Sequence, residues 1–170
     1  MKRLILMRHA KSSWSDPGQA DIERPLNKRG RRNAPAIGKW LAREGYLPQL
    51  ALVSSALRTR ETWDGVSGEV PACPAEFQSA LYHASSTTMR SSLRGASDPD
   101  CVLMLGHQPG IGDFARRLLA ETPRNSEFDR YPTSAVSVID FECSAWREIG
   151  WGTGRLTAFI VPKLLEDAPD

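Results

Sequence analysis

The chain has 170 residues, of which 41% are apolar and 25% are charged, and its 22 basic and 20 acidic residues leave a net charge of +2. These proportions are those of an ordinary globular domain, and they exclude a mostly disordered chain, a fibrous repeat and a membrane protein. So mild a charge also argues against a dedicated nucleic-acid binder, which is usually far more basic. We therefore expect one domain over residues 1–165, followed by a frayed tail at 166–170.

Strands and helices are predicted to alternate along the chain. Short apolar runs are typical of strands buried on both faces of a parallel sheet, and apolar side chains spaced by about 3.6 residues are typical of helices. The predicted order is a strand at 4–7, a helix from about Asn33 that Gly45 closes, a strand at 50–53, a helix that Ser55 caps, a strand at 101–105, a helix at 111–119, and strands at 135–141 and 156–161. This alternation predicts a layered α/β fold.

Neither the first residues nor the cysteines indicate secretion. The apolar stretch Leu4–Met7 ends at Arg8, whereas a secretory leader needs roughly 7–15 apolar residues and a membrane span needs roughly 18. The 3 cysteines, Cys73, Cys101 and Cys143, form no Cys-x-x-Cys pair, so we expect neither a disulfide framework nor a zinc site. A cytoplasmic location is the resulting expectation.

Three of the predicted strands end in residues that can bind an anion. Arg8 and His9 follow the first strand, the segment from Ser54 to Arg58 follows the second, and His107 follows the third. Because the carboxyl ends of parallel strands meet at one edge of a sheet, these side chains should converge there. Imidazoles and guanidinium groups gathered in one crevice are costly without an anion, and the N-termini of the two following helices would add free N–H groups. A phosphate is the simplest ligand.

Each of these residues has an ordinary explanation when it is taken singly. A histidine after a strand is usually a hydrogen-bonding loop residue, Arg8 would be a surface charge, and Arg58 could pair with Glu61 or Thr62 in its own helix. Their joint placement at three strand ends favours a functional site. A zinc site is disfavoured, because it needs a third ligand and the neighbouring arginines would repel a cation.

Four segments, which follow one another along the chain in the family's order, resemble the histidine phosphatase superfamily. Arg-His-Ala at 8–10 is similar to its Arg-His-Gly/Ala signature, residues 54–62 resemble its second motif with Arg58 as the motif arginine, and Gly-His-Gln-Pro at 106–109 resembles its Gly-His-Asn-Pro motif. Residues 21–30 resemble the segment after the first strand in the small SixA-type phosphohistidine phosphatases. The resemblance implies a three-layer α/β/α fold with a mostly parallel central sheet, as in phosphoglycerate mutase.

The resemblance also implies roles for individual residues. His9 would be the nucleophile that attacks phosphorus, and water would then hydrolyse the phosphohistidine enzyme intermediate. A carbonyl or carboxylate at the other ring nitrogen would fix its tautomer. Arg8, Arg58 and, if protonated, His107 would bind the phosphoryl oxygens in place of a metal ion, so neither a metal nor another cofactor is expected. Ser15 stands where the family often has an asparagine, which makes it a candidate phosphate-binding residue.

The general acid of the family has no obvious counterpart. Many family phosphatases carry a Glu or Asp after the third strand of the family fold, and this residue protonates an ester leaving group. The comparable residues here, 80–85, contain no carboxylate. His83 is the candidate proton donor, since an ordinary histidine has a pKa of about 6.5; alternatively, Glu23 or Asp16 could fold into the crevice. The SixA-type enzymes also lack a clear acid. Phosphohistidine explains this, because its imidazole leaving group can be protonated on the ring.

These features predict a phosphatase that hydrolyses phosphohistidine on a protein. The spacing from His9 to Arg58 to His107 leaves little room for a cap domain, and an open site admits a side chain of a folded partner. Because an open site also admits small molecules, a small-molecule phosphomonoesterase of the same fold is an alternative. A non-catalytic phosphate- or phosphoprotein-binding module is another, although binding alone needs no positioned nucleophile. No nucleic-acid or membrane partner is expected, and the oligomeric state is left open.

Overall fold

The computed structural model describes residues 1–166. Its strands are β1 (Lys2–Arg8), β2 (Leu50–Ser54), β3 (Ala75–Gln78), β4 (Cys101–Gly106), β5 (Val136–Phe141) and β6 (Arg155–Ile160). Its α-helices are α1 (Lys28–Glu44), α2 (Leu57–Ser67), α3 (Ser86–Arg94), α4 (Gly110–Leu118), α5 (Ser126–Arg130) and α6 (Pro162–Glu166). Short 3-10 helices lie at Asp21–Glu23, Ser79–Leu81 and Trp146–Glu148. The predicted frayed tail lies outside the described residues, except for Glu166, which ends α6.

All of these strands belong to one 6-stranded sheet with the order β3-β2-β4-β1-β5-β6. The pairings of β3 with β2, of β2 with β4 and of β4 with β1 are parallel. Strand β5 runs antiparallel to β1, and β6 runs antiparallel to β5. The carboxyl ends of β1, β2 and β4 therefore meet at one edge, and the prediction of a mostly parallel α/β sheet is confirmed.

Two apolar clusters cover the two faces of the sheet. In β1, Leu4 and Leu6 belong to the cluster that contains side chains of α3, α4 and α5. Ile5 and Met7 belong to the cluster that contains side chains of α1 and α2. Alternate side chains of a strand point to opposite faces, so a strand covered on both faces needs a continuous apolar run. This explains the short apolar runs of the sequence and confirms the three-layer α/β/α arrangement.

Helix α1 begins at Lys28, so the predicted start near Asn33 is wrong. Asn27 is the N-cap, and its side-chain oxygen accepts a hydrogen bond of 2.9 Å from the Gly30 amide. Pro35, which suggested the later start, lies inside the helix. Its ring packs where Gly65 of α2 has no side chain, since a Cβ at Gly65 would lie 3.1 Å from Pro35 Cδ. The predicted end is confirmed, because Gly45 closes α1 with a φ of 76°.

Helix α2 also begins later than its predicted cap. The backbone is still extended at Ala56, with φ −61° and ψ 147°, and the N-cap residue makes no side-chain capping hydrogen bond. Ser55 is therefore not the N-cap. Instead the hydroxyl of Thr59 donates to the carbonyl oxygens of Ser54 and Ala56, both at 2.7 Å, which holds the turn between β2 and α2.

Two glycines allow the loops around the carboxyl edge of the sheet to pack closely. A Cβ at Gly30 would lie 2.1 Å from the carbonyl oxygen of Lys11, and one at Gly110 would lie 2.0 Å from that of Ala84. No real Cβ approaches an oxygen so closely. The first contact holds α1 against the loop after β1, and the second holds the turn before α3 against the start of α4.

Within residues 1–166, no helix is long and apolar enough to cross a membrane. Cys73, Cys101 and Cys143 are all free thiols.

The N-cap of α1 makes a direct prediction about stability. Replacing Asn27 with Ala should lower the free energy of unfolding by about 1 kcal/mol, because the Gly30 amide loses its acceptor, whereas Ser at position 27 should retain most of the stability. Arg29→Ala, an exposed change in the first turn, is the matched control and should stay within about 0.5 kcal/mol. Urea titration measures all three variants. Equal costs for Ala and Ser at position 27 would contradict the capping role.

Candidate active site

The loop after β1 holds His9 in one orientation. His9 is only 7% exposed, and its Nδ1 lies 2.7 Å from the carbonyl oxygen of Ala10. Its backbone amide donates to the Gly106 carbonyl at 3.1 Å, and its own carbonyl accepts from the Ser134 amide at 3.0 Å. Since a carbonyl can only accept, the proton of the neutral ring belongs on Nδ1 and Nε2 keeps a free lone pair. The group that the sequence left open is thus the Ala10 carbonyl.

His107 follows β4 and lies next to His9, with 5.3 Å between the ring centroids. It is 2% exposed. Its Nε2 lies 2.8 Å from the hydroxyl oxygen of Ser54 at the end of β2. The histidines predicted to converge from two strand ends are therefore neighbours. Ser54, at the end of a third strand, forms a hydrogen bond with His107.

Two arginines flank these histidines. Nη1 of Arg8 donates to the Tyr131 carbonyl at 3.1 Å. Arg58, in the first turn of α2, is 3% exposed and donates from Nη1 to the Asp21 carbonyl at 2.8 Å and from Nη2 to Asp21 Oδ2 at 3.0 Å. Neither Tyr131 nor Asp21 was predicted as a partner. Both are distant in sequence from the arginine that they hold.

Asp21 is the carboxylate of the site, and the sequence pointed instead to Glu23 or Asp16. Its Oδ2 accepts from Arg58 and from the hydroxyl of Tyr82, and its Oδ1 accepts from Arg24 Nη1 at 3.0 Å. The signal that could have identified it is its position at the start of the segment 21–30, three residues before the buried Arg24.

His83 occupies the rim of the site in a strained backbone conformation, with a φ of 51°. Its Nε2 lies 3.4 Å from Arg58 Nη2 and 3.5 Å from Asp21 Oδ2. Its ring stacks on that of Tyr82, with 4.1 Å between centroids and 20° between planes. Strained residues persist where the surrounding structure holds them, often at functional sites.

Buried polar atoms without a hydrogen-bond partner concentrate in this site. Among the residues that the structure describes, such side-chain atoms are Arg8 Nε, Arg58 Nε, His107 Nδ1 and Ser134 Oγ. Buried polar groups are ordinarily paired, so each exception needs an explanation. Three of these residues line one cavity, and the fourth follows Thr133 of its wall. An anion that brings several acceptor oxygens is the ligand that such donors suit.

Burial and neighbouring charges shift the protonation of the site. Burial, which Arg8 and Arg58 reinforce, lowers the pKa of His9 to about 3. Burial, with His9 and Arg58 as further causes, lowers the pKa of His107 to about 2. Both rings are therefore neutral near pH 7. His9 is then competent as a nucleophile, and His107 is a neutral donor rather than the cation that the sequence allowed.

The pKa of Asp21 is lowered, whereas burial alone would raise the pKa of an acid. The hydrogen bond from Tyr82, followed by those from Arg24 and Arg58, lowers the pKa of Asp21 well below its usual range. The carboxyl group is therefore ionised at any physiological pH. Burial and Asp21 raise the pKa of Tyr82, so the phenol stays protonated and keeps donating.

These side chains line a cavity of about 260 Å³. Its wall consists of Arg8, His9, Lys11, Ser12, Trp14, Asp21, Arg24, Arg58, His83, His107, Gln108 and Thr133. Ser15 is exposed and lies outside this wall, with its hydroxyl 2.8 Å from that of Ser13. Its neighbour Trp14 forms part of the wall, with the Arg24 guanidinium 3.3 Å from its ring centroid.

A groove of about 850 Å³ adjoins this cavity and shares His83 and Gln108 with it. Its other walls come from the turn before α3 and from α4, including Ser85, Gly110 and Arg116. No cluster of three or more His, Cys, Asp or Glu side chains suited to a metal ion occurs in the described part of the chain.

Comparison with known proteins identifies the family. A model of the histidine phosphatase superfamily (branch 1) matches residues 4–83. The chain is 34% identical to an uncharacterized chloroplastic protein of Arabidopsis thaliana, over 95% of this chain and 78% of that protein. The chain belongs to the histidine phosphatase superfamily, and this membership implies a phosphatase hydrolase.

Solved structures show which type of histidine phosphatase this chain is similar to. A protein of Agrobacterium tumefaciens assigned as phosphohistidine phosphatase SixA is 27% identical, with a TM-score of 0.80 over 95% of this chain and 98% of that one. A protein of Nakamurella multipartitia assigned in the same way is 25% identical, with a TM-score of 0.81 over 95% and 96% of the two chains. The chain is of the SixA type, as its motifs predicted.

The neutral histidines predict how stability depends on pH. Their folded pKa values lie below the ordinary value of about 6.5, so between about pH 6.5 and pH 3 the unfolded chain binds protons that the folded chain does not. Stability is therefore full above about pH 6.5 and falls as the pH falls, by about 2 kcal/mol per histidine between pH 7.5 and pH 5. His107→Asn should reduce this pH-dependent loss by about that amount, measured by urea unfolding at the two pH values. An unchanged loss in the variant would show that His107 is not held neutral.

Proposed function

We propose that this protein hydrolyses phosphohistidine on a protein substrate through a covalent phospho-His9 intermediate. One observation carries the proposal. His9 presents an unprotonated Nε2 inside a cavity whose arginines and second histidine have buried donors without partners. A phosphoryl group in this cavity would bring acceptor oxygens beside the two arginines and His107, and it would offer the phosphorus atom to the lone pair.

In the first step the lone pair of His9 Nε2 attacks phosphorus, and the bond from phosphorus to the leaving group breaks. His9 keeps its Nδ1 proton throughout, and the Ala10 carbonyl at 2.7 Å stabilises the positive charge that the ring gains. Holding the reactants in place converts this step from a bimolecular to an effectively unimolecular one.

Fixed donors supply the stabilisation of the transition state. Charge spreads over three phosphoryl oxygens, and Arg8 and Arg58 each offer a planar set of N–H donors. The Ser54 hydroxyl lies 2.8 Å from His107 Nε2, and we assign it as the donor to that nitrogen. The proton of neutral His107 is then on Nδ1, the nitrogen without a partner. These groups act in place of a metal ion.

The proton requirement of the leaving group determines whether an ester or phosphohistidine is the better substrate. An alkoxide needs a proton in the transition state, but Asp21 is ionised and cannot supply one. His83 remains the candidate donor for an ester. The other ring nitrogen of phosphohistidine can take a proton from solvent, and the protonated ring then departs as a neutral imidazole without an enzymic acid. A site that lacks a protonated carboxyl group favours this substrate.

In the second step water attacks the phospho-His9 intermediate. The new P–O bond forms as the P–N bond breaks, the electron pair returns to His9 Nε2, and the proton of water passes to solvent or to the departing phosphate. The same donors that stabilised the first transition state stabilise the second, because the transferred group occupies the same cavity.

The adjoining groove supports a protein substrate. Its volume of about 850 Å³ is about that of a site for a large ligand, while the catalytic cavity of about 260 Å³ is suited to a phosphoryl group and one ring. Because His83 and Gln108 line both, a phosphorylated side chain in the cavity can have its flanking residues in the groove. The cytoplasmic location stays a prediction.

His9→Ala should reduce turnover to background while the thermal midpoint stays within a few degrees, since the side chain is a reactant and donates only to its own neighbour. Wild-type protein quenched in base during turnover should carry an acid-labile phosphoryl group that the variant lacks. Turnover near the wild-type level in His9→Ala would rule out His9 as the nucleophile. Substrate binding without turnover in the wild-type protein would instead indicate a binding module.

The substrate class is tested by comparing kcat/KM on a phosphohistidine-bearing protein with kcat/KM on a sugar phosphate. A higher value on the phosphohistidine protein supports the proposal. A higher value on the sugar phosphate would make the protein a small-molecule phosphomonoesterase.

Arg58→Ala should lower kcat/KM by roughly 10²–10³, the usual cost of removing one transition-state donor. Arg58→Lys should recover only part of the loss, because an ammonium group cannot replace a planar fork. Arg60→Ala is the matched control: Arg60 is exposed, and its guanidinium packs 5.2 Å from the Phe77 ring centroid. Full activity of Arg58→Lys would show that Arg58 has only a structural role.

A further inference from the structure

An anionic side chain in a phosphate site needs an explanation. The carboxylate of Asp21 lines the same cavity as His9 and Arg58, where it repels a phosphoryl group and occupies donors of Arg58 that the substrate needs. If its only role were to orient Arg58, its backbone carbonyl, which already accepts from Nη1 at 2.8 Å, would suffice in part. The carboxylate must therefore have a second role that offsets its unfavourable charge.

The contacts of Asp21 exclude the role of proton donor. Arg58 and the Tyr82 hydroxyl donate to Oδ2, and Arg24 donates to Oδ1. All of these partners favour the ionised carboxyl group. Asp21 therefore differs from the acid of an ester phosphatase, which has to be protonated before the ester bond breaks.

The same contacts leave Asp21 able to accept another hydrogen bond. Within residues 1–166, Oδ1 accepts from Arg24 alone, and a carboxylate oxygen can accept more than one hydrogen bond. The side chain is 39% exposed, so a group in the cavity can reach it. Its best additional partner is a positively charged N–H donor, because such charge-assisted bonds are the strongest.

We propose that Asp21 determines specificity by accepting a hydrogen bond from the ring N–H of the protonated imidazole leaving group, which makes the site selective for P–N over P–O bonds. This inference rests on the proposed function and names how the leaving group is recognised. The stacked rings of Tyr82 and His83, which contact Asp21, add an aromatic surface beside the carboxylate. A planar cation is attracted to such a surface.

The proposed step balances without an external acid. The substrate ring carries phosphorus on one nitrogen and a proton on the other, so it is an imidazolium ion. As the bond from His9 Nε2 to phosphorus forms, the P–N bond of the substrate breaks and its electron pair stays on the leaving nitrogen. The ring departs neutral and keeps its proton. Asp21 holds the N–H throughout and accepts no proton.

The charge of Asp21 discriminates in the opposite sense against esters. The leaving oxygen of an ester becomes negative as the P–O bond breaks, and a nearby carboxylate raises the energy of that transition state. Asp21 thus favours a protonated imidazole as the leaving group and disfavours an ester oxygen. Specific sites commonly combine attraction to one ligand with repulsion of its competitor.

Asp21→Asn is the test, because the amide keeps the shape and, with its oxygen at the Oδ2 position, the acceptor for Arg58 and Tyr82, while it removes the charge and the acceptor at Oδ1. The substrates are 3-phosphohistidine and p-nitrophenyl phosphate. We expect kcat/KM on 3-phosphohistidine to fall by roughly 10- to 100-fold, as expected for one charge-assisted hydrogen bond, and kcat/KM on the aryl ester to stay level or rise. Glu23→Gln is the matched control, since Glu23 is an exposed carboxylate outside the cavity wall, and it should leave both values unchanged.

An equal loss on both substrates, or no loss on either, would overturn the inference, because Asp21 would then only hold Arg58 or do nothing. The proposed function would survive that result. It fails separately if the wild-type protein hydrolyses neither 3-phosphohistidine nor a phosphohistidine-bearing protein. A second measurement needs no variant: phosphorylated N-methylimidazolium keeps the positive charge but has no N–H. The wild-type protein should hydrolyse it roughly 10-fold or more below phosphoimidazole, relative to the uncatalysed rates, and equal relative rates would also overturn the inference.

Discussion

The parallel register between β1 and β4 is the constraint on which the site depends. It pairs Arg8 with Gly106, so the next residues of the two strands, His9 and His107, leave the sheet side by side. A shift of one residue would send one histidine to the other face of the sheet. The amide of His9 also bonds to the Gly106 carbonyl at 3.1 Å, which continues the pairing one residue beyond the strand. The orientation of His9, the proposed nucleophile, is therefore set by the core of the protein.

This placement has electrostatic consequences for the surrounding residues. Two histidines, the buried Arg58 and the half-buried Arg8 line one cavity, and the cavity stays stable because the histidines give up their protons. The remaining positive charge is balanced in part by Asp21 and in part by backbone carbonyls such as those of Tyr131 and Asp21. A phosphoryl dianion would complete the balance. Binding of the anion and stability of the site therefore depend on the same charges.

The sequence correctly predicted those features of the fold that local residue patterns determine. Continuous apolar runs such as Leu4–Met7 record burial on both faces, and their order along the chain was enough to bring Arg8, His9 and His107 to one edge. Strand β3 was not predicted, because it is short and half exposed and has no apolar run. The start of α1 was misplaced because Pro35 is unfavourable inside a helix, and its compensation, the missing side chain of Gly65, comes from another helix.

Asp21 was missed for a related reason. Its importance depends on contacts with Arg58 and Tyr82, 37 and 61 residues away along the chain, and nothing in the composition of its own segment shows them. Long-range contacts of this kind are set by the packing of loops. The close approach of Gly30 to the loop after β1 and of Gly110 to the turn before α3 supplies that packing, and such contacts cannot be deduced from residue spacing.

The proposed chemistry explains why a site of this size needs no further acid. In the first step a P–N bond to an imidazole breaks while another P–N bond to an imidazole forms, so reactant and product are chemically alike. The ring of His9 holds its proton against the Ala10 carbonyl, as the substrate ring would hold its proton against Asp21. The two rings differ in what they face: a neutral carbonyl in a buried loop for His9, and an anionic carboxylate at an accessible wall for the substrate. The substrate ring can therefore exchange with solvent, while His9 stays fixed for the attack of water. The protein therefore has to position two imidazole rings around one phosphoryl group. A cavity of about 260 Å³ at the edge of a parallel sheet is large enough for this arrangement.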